Sequence, residues 1–381
     1  MKSTSFLLTS AASSVPEAAA ALDSPGTVVL AFGTPDRAVA APLVAALAAA
    51  FPKSHVIGCS TAGEIHGASI HDASLSVAVA RFDDATVRSA SVAVASPSDS
   101  EAAGEELLRR LHGDDLRAVF VLSEGIHVNG SRLALGMNRE AKGAVITGGL
   151  AGDGDRFAGT WVLSGGELKD HTVAAIALYG SHVGIGHGSK GGWDRFGLPL
   201  TVTRVEGNVV YELNGKPALS VYRDYLGELA AGLPATALLF PLSIRTGDLG
   251  GDGLVRTVLS VDESKQSMTF AGDIATGASV HFMRADFDRL IDGASEAAKK
   301  TNEAAAMGAA HGDSLSIAVS CVGRRLVLGE RAEEEVESAR DGLPKSTTLV
   351  GFYSYGELSP LTPGPCELHN QTMTLTTVFE R

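Results

Sequence analysis

One pattern occurs three times along this chain, and it limits the folds available more than any other feature. Each copy opens on a short apolar run, at residues 28–32, 118–122 and 315–319. An Ala/Leu/Glu-rich stretch follows, at 38–50, 131–141 and 330–340, longer than strands normally run and therefore helical. A second apolar run then enters a glycine turn that ends in an acid. The turns read Val56-Ile57-Gly58-Cys59-Ser60-Thr61-Ala62-Gly63-Glu64, Val145-Ile146-Thr147-Gly148-Gly149-Leu150-Ala151-Gly152-Asp153 and Leu349-Val350-Gly351-Phe352-Tyr353-Ser354-Tyr355-Gly356-Glu357, and they align without a gap. A third run, rich in Val, Leu and Thr, closes each copy at 75–82, 173–179 and 373–379, behind His71, His171 and His369.

Three β-α-β-β units imply an α/β fold. The expectation is two related sheet-containing domains built from these units, with a ligand pocket near their junction. The glycine before each acid lets the backbone turn tightly, and the acid can accept backbone N–H groups in the turn. Loops at strand ends are also where ligand groups usually sit, so Glu64, Asp153 and Glu357 are candidate binding residues. Tyr353 and Tyr355 alternate at the end of a strand and are expected to point the same way, making this the most ligand-like of the three turns. Between the second and third copies, 201–205 with 208–213 and 255–261 with 267–273 read as two hairpins, and 287–307 as a helix.

Length and composition narrow the function. At 381 residues the chain exceeds what one core usually holds. A net charge of -13 argues against nucleic acid or an anionic membrane as partner, since both demand a basic surface. The three cysteines, Cys59, Cys321 and Cys366, form neither a disulfide framework nor a zinc motif, which suits a reduced cytoplasmic setting. The apolar run at 6–8 is too short for a secretory signal, and no stretch approaches a membrane span.

Gly58-Cys59-Ser60-Thr61-Ala62-Gly63-Glu64-Ile65 resembles the signature of the FIST N-terminal domain, and Gly148-Gly149-Leu150-Ala151-Gly152-Asp153-Gly154 its second marker. Ser320-Cys321-Val322-Gly323-Arg324, the turn 351–357 and His369-Asn370-Gln371-Thr372 resemble markers of the FIST C-terminal domain. The resemblance divides the chain into a lead-in at 1–24, an N-terminal domain at 25–226 and a C-terminal domain at 227–381. It implies a non-catalytic, small-ligand-binding sensor in signal transduction. One subgroup implies a haem-based nitric oxide sensor that modulates a partner histidine kinase; a cyclase is the other expected kind of partner, and a homo-oligomer is compatible with the sequence.

Two ligand classes then compete. For haem, His187 is the candidate axial and metal ligand, because glycines on both sides leave its imidazole accessible in what reads as a loop; His182 is the weaker alternative. For an amino acid or other small polar metabolite, Tyr353, Tyr355 and Glu357 suit an amine, Arg245 and Arg324 could fork onto a carboxylate, and Asn370 stands at the edge of the same turn. The rival from another class is a serine hydrolase using Ser60, although its turn lacks the Gly-x-Ser-x-Gly elbow. Three equivalent histidines, His71, His171 and His369, also raise a metal site, without a supporting local motif.

Overall fold

The computed structural model describes residues 1–9, 14–245, 253–305, 312–360 and 364–381, the side chains of 245, 304 and 305 excepted. The three copies form three six-stranded sheets of identical plan. In the first, Thr27–Gly33 and His55–Ser60 run parallel across the helix Arg37–Ala50, and Leu75–Arg81 returns antiparallel beside Thr27–Gly33. Lys2–Leu8 adds an edge strand to Leu75–Arg81. Leu116–Ser123, Val145–Leu150 and Thr172–Tyr179 repeat the arrangement with Thr86–Ala93 at the edge. Ser314–Cys321, Thr347–Ser354 and Met373–Glu380 repeat it with Val183–Lys190 at the edge.

Each module lends a two-stranded excursion to a neighbour. Glu64–His66 with Ser69–His71 extends the third module's sheet at Thr347–Ser354. Val162–Ser164 with Glu167–Lys169 extends the first at His55–Ser60. Gly356–Pro360 with Cys366–His369 extends the second at Val145–Leu150. The exchange closes a ring in which every module completes another's sheet, so the two sequence halves cannot separate without breaking backbone ladders.

Both faces of these sheets are covered, which is why their strands read as continuous apolar runs. Along Thr27–Gly33, Val28, Leu30 and Phe32 join a core shared by all three modules with Phe120, Ile176, Ile317 and Phe352. The alternate residues Val29 and Ala31 pack with Leu43, Val44 and Leu47 of the helix. Phe32 stacks on Phe352 with ring centroids 4.8 Å apart. Complete burial of each such side chain contributes roughly 1.5–3 kcal/mol.

The first glycine of each turn, rather than the one before the acid, is explained by close approach. A Cβ at Gly58, Gly148 or Gly351 would lie 2.1, 1.9 or 1.9 Å from the carbonyl oxygen of Ala31, Val121 or Ala318. These three glycines hold the same register position, opposite those three residues in the parallel pairs. The gapless alignment is therefore corrected: the middle copy shifts by one residue, and Asp153 corresponds to Gly63 and Gly356 rather than to the acids. The strand partners of Glu64 and Glu357 are Phe352 and Gly149; the matching place opposite Cys59 belongs to Val162. The histidines are corrected likewise. His71 and His369 pair with Glu64 and Glu357 in the excursions, whereas His171, with φ 45°, stands where Ala73 and Gln371 turn the chain with φ 58° and 61°.

Residues 194–284 form an inserted domain around an eight-stranded sheet. Asp194–Glu206 pairs with Val209–Leu213, and Val258–Asp262 with Ser267–Phe270, the two hairpins expected. Its core gathers Tyr222, Phe270, Phe282 and Met268 under the helix Ala218–Leu226. Residue 226, where the sequence placed a domain boundary, is the last of this helix and lies within the inserted domain. The helix Phe287–Ala305 then packs on Val183–Lys190, where a Cβ at Gly188 would meet the Ala297 carbonyl oxygen at 2.1 Å; residues 306 and 307 of the expected helix lie outside the described residues. No helix among the described residues is long and apolar enough to cross a membrane.

Candidate functional site

The three turns do meet. The Ala62 amide donates to the Tyr353 carbonyl at 2.8 Å and the Tyr353 amide to the Gly63 carbonyl at 2.9 Å; Gly152 donates to Ser60 at 3.0 Å and Tyr355 to Leu150 at 3.1 Å. Their side chains are engaged with protein groups. Glu64 accepts from the Thr61 hydroxyl and from the hydroxyl and amide of Ser74. Glu357 accepts from the Ser354 hydroxyl and from the hydroxyl and amide of Thr372. Burial dominates over these bonds and pushes the two carboxyls up to about 7 and about 8.

The middle corner is expanded, from Ala151 to Trp161, before its excursion begins. Asp153 organises it, accepting from the amides of Phe157, Ala158 and Gly159 and from the Tyr355 hydroxyl. Burial alone would raise this carboxyl, but those hydrogen bonds hold it below its ordinary value. Phe157 stacks on Tyr355 at 4.5 Å. Tyr353 goes elsewhere, donating to Glu335 at 2.8 Å. Glu335 is also the ion-pair partner of Arg324, at 2.5 Å. The remaining Arg324 donors reach the carbonyls of Gly191, Gln371 and Leu290, so this fully buried guanidinium is spent on main chain. Arg245 closes the strand Leu242–Arg245, and its side chain is outside the described residues.

Ser60 is fully buried, its hydroxyl accepting from the Trp161 amide at 3.0 Å. His187 is in a strand rather than a glycine loop, paired with Thr376. It lines a cleft of about 350 Å³ with Asn138, Ala141, Val145, Pro360 and Cys366, and burial lowers its proton affinity so that the imidazole is neutral. No Lys or Arg is among the described lining residues, and the Asn138 amide is bonded to the main chain of Cys366. His182 sits at an exposed turn against the Arg381 carbonyl.

Asn370 differs from all of these. It is 1% exposed, yet among the described residues neither its Oδ1 nor its Nδ2 has a hydrogen-bond partner; Gln371 is 0% exposed and its Oε1 is also unpartnered there. Buried polar groups are almost always paired, so three unpaired atoms on adjacent residues point to a missing partner. They stand at a seam between the ring and the inserted domain. Gln371 Nε2 reaches the Leu238 carbonyl at 3.4 Å, and Arg256 of the insert donates to the carbonyl of Leu368 at 2.8 Å. Arg256 is buried and donates otherwise to the carbonyls of Val255 and Asp273; burial lowers its pKa to about 10, leaving it charged at neutral pH. The sequence showed Gln371 only as part of the marker at 369–372 and did not single out Arg256, because burial is not a property of any motif.

Fold and site define a mixed α/β protein of several sheets with a polar seam between ring and insert. Two family models match the chain, the FIST N domain over residues 27–216 and the FIST C domain over residues 218–360. The chain belongs to the FIST family, whose domains are linked to small-ligand sensing in signalling. Uncharacterised proteins of Mycobacterium bovis and Mycobacterium tuberculosis are 25% identical over 256 residues, and the match spans 62% of this chain and 61% of their own length. Among solved structures, a cyanuric acid hydrolase from A. caulinodans is 10% identical with a TM-score of 0.41, covering 100% of this chain and 99% of its own. A chorismatase is 9% identical with a TM-score of 0.34, covering 100% of this chain and 98% of its own. Neither likeness is close enough to carry an activity across.

Proposed function

We propose that this protein is a sensor that binds a small polar ligand at the seam beside Asn370 without transforming it, and that a partner such as a histidine kinase or cyclase reads the bound state. The unpaired amide of Asn370 carries the reading: a buried, unsatisfied polar group costs about 1–3 kcal/mol, which a ligand returns on binding. Burial of Ser60 behind Trp161 speaks against a hydrolase built on that hydroxyl. Differential scanning fluorimetry with a panel of amino acids and other small polar metabolites tests the proposal. A stabilising member whose effect disappears in Asn370→Leu is expected; stabilisation that persists in the variant, or none across the panel, overturns it.

A second reading places haem at His187, supported by the neutral, half-buried imidazole at the cleft. The residues fit an axial ligand better than they fit propionates, for which the described lining offers no cation, so the seam comes first. A Soret band on adding haemin that is lost in His187→Ala would reverse that order.

A further inference from the structure

Building on the seam reading, we infer that the ligand group beside Asn370 is a neutral amide edge, a C=O next to an N–H, as in a primary carboxamide or a cyclic amide. The unsatisfied atoms specify this by their valences. Asn370 offers an acceptor at Oδ1 and two N–H donors at Nδ2, and Gln371 offers an acceptor at Oε1. The orientation of Gln371 is fixed because its Nε2 faces the Leu238 carbonyl; turned over, two oxygens would oppose each other. Asn370 presents the same donor and acceptor in either orientation. The unmet valences are thus two acceptors and one donor group, all of them neutral, and Asn370 alone presents an acceptor and a donor side by side.

An ionised carboxylate brings acceptors alone and leaves both Oδ1 and Oε1 without a proton. An ammonium brings donors alone, leaves Nδ2 unpaired and adds a cation to a seam that already buries Arg256. A primary carboxamide supplies a carbonyl for Nδ2 and an N–H for Oδ1, with a second N–H left to donate, and it brings no charge to desolvate.

The experiment uses matched probes on the full chain: nicotinamide against nicotinate, glutamine against glutamate, and uracil for a cyclic amide edge. Isothermal titration gives the affinities, and the Asn370 side-chain ¹H–¹⁵N resonances, assigned by their absence in Asn370→Asp, report the contact. At least one amide probe is expected to move those resonances and to bind roughly ten- to hundred-fold more tightly than its carboxylate partner, the cost of an unmet buried hydrogen bond. Nicotinamide or glutamine binding alone indicates an open carboxamide, uracil alone a ring. If a carboxylate moves the Asn370 resonances with equal or higher affinity, the amide class is wrong and the seam reading survives. If no probe moves them, both are overturned.

Discussion

The corners at the centre of the ring and the seam beside Asn370 are built from neighbouring stretches of chain, and they treat their polar groups in opposite ways. At the corners every acid is met: Glu64 by Thr61 and Ser74, Glu357 by Ser354 and Thr372, Asp153 by three amides and Tyr355. At the seam, Asn370 and Gln371 are as deeply buried and hold three unmet atoms. Convergence of the repeated turns therefore marks where the modules lock together, and unmet valence marks where a ligand can bind. The difference is one of energetics: a met group gains nothing further from a ligand, and an unmet one does.

The sharpest way to break this contrast is at Arg324. If its donors hold main chain rather than ligand, Arg324→Met leaves Glu335 buried and unpaired and costs about 3–5 kcal/mol in urea unfolding. A variant of parental stability that loses only ligand binding would move Arg324 to the seam.

The corner acids give a pH signature. Folded Glu64 and Glu357 titrate at about 7 and about 8, above the ordinary value of 4.5. Their protonated forms favour the folded state, so the associated stability is complete below pH 4.5 and is lost as pH rises through 7 and 8. Each carboxyl costs up to about 1.4 kcal/mol per pH unit within its window. Glu357→Gln should flatten the upper part of the profile; an unchanged slope above pH 7 would show that Glu357 is not the group responsible.

Much of this arrangement was legible beforehand, for definable reasons. Repeated apolar runs revealed three modules because both faces of each sheet are covered, and glycine-rich turns stood out because their first glycines, 58, 148 and 351, leave no room for a Cβ beside a carbonyl oxygen. The one-residue shift of the middle copy was not legible, since glycines align by identity whereas register is set by parallel pairing with Ala31, Val121 and Ala318. Nor was the exchange of excursions, because the partners of Glu64–His66 lie in the third module, nearly three hundred residues along the chain. Of the proposed binding residues, Tyr355 and Asp153 are brought together, Tyr353 and Arg324 meet at Glu335, and His187 stands apart in its cleft. Asn370 was singled out for its place beside the turn; its unpaired state is visible only in three dimensions.

A smaller effect sharpens the contrast further. Ser60→Ala removes one hydrogen bond at a corner and should lower stability by about 1 kcal/mol, leaving ligand-induced stabilisation intact. Loss of that stabilisation with little change in the apo protein would extend the binding site to the corner.

The most direct measurement is the thermal unfolding of apo Asn370→Leu beside the parent. Leucine keeps the branched shape, is bulkier, and has no polar atom to leave unmet, so the variant should unfold close to the parental temperature. A fall of several degrees, as when a well-bonded amide is removed, would mean that Asn370 already has its partner within the protein, and the seam reading would fail.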